Sequence, residues 1–239
     1  MQRQDNFQIF GSAHLLTIGV ILLIAACFVL TARKKEWQPL AGPMSWALVL
    51  LLLCNELIFL FLVISKGMWS YKWGLPLQIC DLAIFAVCFS LIKHRQFVWE
   101  LAYFWGLGGT LQAILTPDLI VTFPDFIYFK FFLTHGCILI GVIYLSVGLG
   151  RPIYFSSLKR VWLMTHLYVM FMGVFNWVFD TNYAYLCAKP SQTSILDYFG
   201  PWPNYLLGLE MTLIVSLFIY YLPYYFVKKC RSVSPGTRT

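Results

Sequence analysis

Charge is what this sequence has least of. Only 11% of its 239 residues are Asp, Glu, Lys or Arg, and the acids number just ten. A chain so poor in charge, 60% hydrophobic and 18% aromatic, is neither an ordinary soluble domain nor a disordered segment. Metal-ligand spacing is missing as well. The seven cysteines, at 27, 54, 80, 88, 137, 187 and 230, are scattered with no Cys-x-x-Cys. That argues against a disulfide framework or a zinc site, and neither a metal nor a cofactor is expected. The net charge of +7 does not point to nucleic acid, because the bases sit in short clusters between apolar runs. No internal repeat and no separate soluble segment interrupt the chain, so one transmembrane domain is expected over 1–239.

What the chain does have is length of apolar sequence. Seven segments, near 12–32, 44–65, 76–92, 98–116, 126–148, 159–179 and 204–227, are each read as a helix crossing about 30 Å of hydrocarbon. The fold class is therefore all-α, a polytopic seven-helix membrane bundle. The first run is followed, not preceded, by Arg33, Lys34 and Lys35, so it reads as an anchored helix and not a cleaved signal. Twelve of the 17 Lys and Arg fall on one side: Arg33, Lys34, Lys35, Lys93, Arg95, Arg151, Lys159, Arg160, Lys228, Lys229, Arg231 and Arg238. Arg3, Lys66, Lys72, Lys130 and Lys189 fall on the other. The positive-inside tendency then puts the N-terminus outside and the C-terminus in the cytoplasm, in a multi-pass protein of the cell membrane.

Polar groups inside such segments are costly, and they mark functional candidates. The most polar helix start is Leu75–Asp81, with Pro76 expected in the first turn and Gln78, Cys80 and Asp81 close behind. Other members are Asn55 and Glu56 on helix two, Gln112 on helix four, His135 on helix five, Asn176 and Asn182 near the end of helix six, and Glu210 on helix seven. In the expected orientation Cys80, Asp81, Gln112, His135, Asn176 and Glu210 share the outer half of the membrane, which suggests one cavity. Gln112 and Asn176 also fit interhelical hydrogen bonding, Glu56 and Glu210 also fit a mutual pair, and His14 fits a helix cap. His166, nearer the inner end, reads as a packing histidine. A thiol and an imidazole in one cavity can serve as nucleophile and base toward a carbonyl such as a lipid ester. The alternative is a small-molecule transporter or ligand-binding membrane protein without catalysis.

Several longer stretches resemble one family. They are Leu75–Asp81; Glu100–Gly109 continuing through Gln112 to Leu115-Thr116-Pro117-Asp118; Phe131-Phe132 with His135-Gly136; Asn176-Trp177; Thr181-Asn182-Tyr183 with Tyr185-Leu186; and Leu196–Pro203. Together they look like the YwaF-like bacterial integral membrane proteins, relatives of the eukaryotic transmembrane protein 164 and, more distantly, of the androgen-induced membrane hydrolases. The resemblance implies a lipid acyltransferase or lipid ester hydrolase acting on a membrane phospholipid or other acyl lipid. Cys80 would be the nucleophile and His135 the base. Gln78, Asp81, Gln112, Asn176, Asn182, Tyr185, Glu56 and Glu210 would line or support the cavity. The family pattern has His where this chain has Gln78, which leaves His135 as the implied base.

Overall fold

The computed structural model describes residues 7–189 and 195–233. Arg3 and Arg238, which entered the sequence reading, lie outside them. Seven α-helices are found among the described residues: α1 Ser12–Arg33, α2 Ala41–Ser65, α3 Ile79–Ile92, α4 Gln96–Leu115, α5 Phe126–Ile143, α6 Phe155–Phe179 and α7 Tyr205–Val233. The boundaries follow local chemistry. Gly67, at φ 64°, turns the chain after α2. Asp125 caps α5 by accepting the Ile127 N–H at 2.7 Å. α5 then runs into a π-turn over Tyr144–Gly148, closed by the Leu149 N–H donating to the Tyr144 carbonyl at 2.8 Å.

Two boundaries correct the sequence reading. α3 begins at Ile79, so Pro76 lies before the helix and not in its first turn. Its fixed φ shapes the approach to the helix instead. α6 begins at Phe155, four residues before the start near 159 read from hydropathy, so Lys159 and Arg160 lie within its first two turns.

Among the described residues, five helical segments are long and apolar enough to cross a membrane by themselves: Ser12–Arg33, Lys35–Ser65, Phe126–Gly148, Phe155–Phe179 and Tyr205–Lys229. α3 has 14 residues, about 21 Å at 1.5 Å per residue and short of the hydrocarbon thickness. α4 has 20 residues but is interrupted by Glu100, three glycines and Gln112. These two helices need less apolar sequence because protein surrounds them. Every residue from Trp99 to Leu107 is buried, Glu100 completely, with its Oε1 accepting from Gln96 at 3.0 Å. By contrast α1 turns Leu15, Leu16, Leu22 and Leu23 outward, and α6 turns Met170, Phe171, Val174 and Trp177 outward. Apolar outer faces of that extent are the surface a bilayer requires. This is a multi-pass membrane protein.

The chain divides into two compact units, Met1–Arg151 and Pro152–Thr239. In the first, α5 packs against each of α1, α2, α3 and α4, and α3 packs most extensively on α4. Close approach at α5 is set by Gly141. A Cβ there would meet Val87 at 2.7 Å and Leu48 at 3.3 Å, so α3 and α2 both press on its backbone. In the second unit α6 packs on α7, with short 3-10 turns at Tyr183–Tyr185 and Ile195–Phe199 between them.

Candidate functional site

The polar start of α3 resolves into two jobs. Gln78 is the N-cap: its side chain accepts from the N–H of Asp81, while the Asp81 carboxylate accepts from the N–H of Gln78 at 3.0 Å. This reciprocal box satisfies two donors that the helix start would otherwise leave unpaired. Asp81 also places a carboxylate at the end of the helix dipole that favours it. Gln78 and Asp81 are thus accounted for by the architecture of the helix start.

Cys80 is not. It is the second residue of α3, in the first turn of the helix. Its sulfur makes no hydrogen bond among the described residues. It faces Gly109 on α4, where a Cβ would come within 2.7 Å of Sγ. Glycines in a membrane helix allow a neighbouring helix to approach closely. At Gly109 that space is occupied by the candidate nucleophile itself.

His135 lies on α5 with its ring 4.3 Å from that of Phe131, centre to centre. Its Nδ1 is 2.8 Å from the Phe131 carbonyl. A carbonyl can only accept, so Nδ1 carries the proton and, in the neutral ring, Nε2 carries the lone pair. That is the tautomer a general base needs. Among the described residues no hydrogen bond joins Cys80 to His135.

A second polar cluster on α2 and α5 sits beside these two. Lys130 Nζ pairs with Glu56 Oε2 at 3.1 Å and lies 4.8 Å above the Phe59 ring. Thr134 donates to Glu56 Oε1 at 2.7 Å and accepts from Asn55 Nδ2 at 2.7 Å, and Asn55 also donates to the Lys130 carbonyl at 3.2 Å. Glu56 therefore pairs with Lys130 and not with Glu210. Sequence reading counted Lys130 only as an orientation charge. Its spacing four residues before Thr134, inside an apolar helix, was the signal that it faces the bundle.

Two groups expected near the cavity are satisfied locally. Gln112 bonds Thr116 one turn on in its own helix and is exposed, so it is not interhelical glue in this structure. His14 is 1% exposed, accepts the Phe10 N–H at Nδ1 (3.0 Å) and donates from Nε2 to the Ile114 carbonyl (2.7 Å). It ties the start of α1 to an otherwise unpaired carbonyl at the end of α4. His14→Ala should cost about 1–3 kcal/mol of stability in detergent denaturation. Any activity per folded molecule should be unchanged.

The remaining members belong to the second unit. Asn176 is buried, accepting from the Thr181 hydroxyl (2.7 Å) and the Tyr183 N–H (2.8 Å) while donating to the Tyr183 carbonyl (2.9 Å). It clasps the turn after α6 and leaves no polar atom for a ligand. Asn182 accepts from the N–H groups of Cys187 and Ala188, each at 3.0 Å, and donates to the Ala188 carbonyl at 2.8 Å. The Tyr185 carbonyl accepts from the Tyr205 hydroxyl. Asn176, Asn182 and Tyr185 thus build the loop that follows α6. Asn176→Ala would leave three buried partners unmatched, at about 2–3 kcal/mol, and limited proteolysis should then cut faster within 181–189. Glu210 accepts from Trp162 Nε1 at 2.9 Å and meets His166 Nε2 at 3.1 Å, so two residues assigned different depths from sequence lie side by side.

No group of three or more His, Cys, Asp or Glu among the described residues could hold a metal ion. A groove of about 620 Å³ in the second unit, lined by Phe155, Phe218, Tyr221, Leu222, Tyr225, Lys228 and Lys229, contains none of the candidate residues.

Comparison with known proteins agrees with the long motifs. An uncharacterized protein of Treponema pallidum (strain Nichols) is 27% identical over 222 residues, covering 90% of this chain and 89% of its own length. No solved structure matches. The TMEM164 family profile matches residues 9–221, spanning α1 to most of α7, and the protein belongs to the TMEM164 family.

Proposed function

We propose that the protein is a lipid acyltransferase or lipid ester hydrolase that works through an acyl thioester on Cys80. The observation that carries this reading is the setting of Cys80: first turn of a helix, sulfur without a hydrogen bond, opposite a glycine in a membrane protein. Only there among the candidate residues is a nucleophile left without a structural task. His135 supports the reading with a lone pair at Nε2.

In this mechanism His135 Nε2 takes the Cys80 proton, directly or through one water, as bound lipid brings the groups together. The sulfur attacks the ester carbonyl carbon, and the alcohol portion of the lipid leaves, taking back that proton from the imidazolium. A second alcohol, or water, then attacks the thioester. It gives its proton to His135, which returns it to the departing Cys80 sulfur. An acceptor lipid makes the protein a transferase; water makes it a hydrolase. The skew of Lys and Arg to one side supports seven crossings with the C-terminus in the cytoplasm and this site in the outer half of the membrane.

The test is to give purified protein in lipid nanodiscs a phospholipid with a labelled acyl chain. Label should appear on the Cys80 peptide as a hydroxylamine-sensitive adduct. Binding and uptake of a small solute with no such adduct would reject catalysis and favour transport.

A further inference from the structure

The ion pair on α2 and α5 bears on the charge of the thiol. Gly141 fixes the register between α5 and α3, because a Cβ there would meet Val87 at 2.7 Å and Leu91 at 3.8 Å. Lys130, Thr134 and Gly141 lie on one face of α5, at spacings of four and eleven residues. Cys80, Ile84, Val87 and Leu91 lie on one face of α3, at spacings of four, seven and eleven. Consecutive helices joined by the short 93–95 and 116–125 connections reverse direction, so α3 and α5 run the same way. Gly141 lies between Val87 and Leu91, so stepping back eleven residues, about 16 Å, puts Lys130 level with the turn from Pro76 to Cys80. The two faces therefore bring the thiol and the ammonium to one level of the bundle.

Lys130 is also held where it is. Glu56 neutralises part of its charge, Phe59 lies under the ammonium, and the Asn55–Thr134 hydrogen bonds fix Glu56 and the Lys130 backbone in turn. The charged and titratable groups around the thiol are then Asp81 on α3, Glu56 on α2, and Lys130 and His135 on α5. Of these Lys130 supplies the ammonium, paired with Glu56. Glu56 and Asp81 oppose it.

We propose that Lys130 is a positioning residue that stabilises the Cys80 thiolate, with Glu56 setting how much of its charge the sulfur feels. The inference rests on Cys80 being the reactive thiol, but it concerns the charge of that thiol and not the fate of any lipid. It separates Glu56 from Lys130. Both hold the same α2–α5 contact, yet their charges are of opposite sign.

The experiment measures alkylation of Cys80 by iodoacetamide in the full-length protein in nanodiscs, read by mass spectrometry of the Cys80 peptide. The sulfur–carbon bond forms as iodide leaves, and the thiol proton goes to water. Cys88, buried two turns along α3, reports local opening in the same samples. Lys130→Gln should slow Cys80 alkylation about three- to tenfold, Glu56→Gln should speed it about two- to fivefold, and Lys130→Arg should stay within about twofold. The Cys88 rate should not follow. If both neutral substitutions shift Cys80 in the same direction, or Lys130→Gln leaves its rate unchanged, Lys130 serves only to pack α2 on α5 and the proposal is overturned. Opposite shifts with no acyl thioester on Cys80 would sink the lipid chemistry and leave this electrostatic role intact. If Lys130→Gln does not fold, the Lys130→Arg and Glu56→Gln pair decides the sign: Glu56→Gln must accelerate and Lys130→Arg must not.

Discussion

Cys80→Ala is expected to abolish transfer or hydrolysis of the lipid acyl chain, by about 10³-fold or more, because it removes the atom that carries the acyl group. The fold should survive. The sulfur makes no hydrogen bond among the described residues, so its removal costs at most about 1 kcal/mol. The capping box that starts α3 belongs to Gln78 and Asp81 and remains in place. The two readouts are turnover of labelled phospholipid and the denaturation midpoint in the same detergent. Full turnover in a folded Cys80→Ala protein would end the thioester mechanism. Lost turnover with a collapsed midpoint would instead assign Cys80 a packing role.

Gly109→Val should come next in size. A Cβ at residue 109 would stand 2.7 Å from the Cys80 sulfur, well inside contact distance, and the two added methyl groups fill what space is left. Either the sulfur swings off its rotamer or α3 moves away from α4. Overpacking of this kind costs about 1–3 kcal/mol. Displacing a nucleophile by about 1 Å lowers a reaction rate about 10²-fold. Acylation of Cys80 should therefore fall far more than the stability does. Gly108 is the control: a Cβ there meets nothing within 4 Å, so Gly108→Ala should leave acylation near wild type. Equal losses at Gly108 and Gly109 would mean that helix flexibility matters and that contact with the sulfur does not.

The seven helices were legible from hydropathy because a chain this apolar leaves few alternatives to helices in lipid. Their ends were less so. Leu75–Asp81 looked like a helix start with three unexplained polar groups. The pair Gln78 and Asp81 sits at the cap and third helical positions, where each side chain can reach the other's N–H, but that pairing appears only once the helix starts at Ile79 and not at Pro76. The expectation of one cavity rested on depth, and depth along a helix says nothing of which face a side chain takes. Asn176 and Asn182 turned toward their own loop, Gln112 toward its own helix, and His14 toward a bare carbonyl. Lys130 went the other way. Its charge counted toward orientation, yet its position in α5 puts it among Glu56, Thr134 and Asn55.

Composition and hydropathy alone determined that this is a multi-pass helical membrane protein, because burying so much apolar sequence in water has no solution and hydrocarbon does. Side-chain chemistry at a shared depth, with the family resemblance, also singled out Cys80 and His135 as groups worth asking about. Only the tertiary structure decided what each polar group is for. Hydrogen bonds and ion pairs are short-ranged, and which partners fall within 3 Å depends on register between helices that lie far apart in the chain. By that measure Gln78, Asp81, Asn176, Asn182 and His14 hold the fold together, Glu56 and Lys130 pair beside the thiol, and the sulfur of Cys80 lies against Gly109 with no such task.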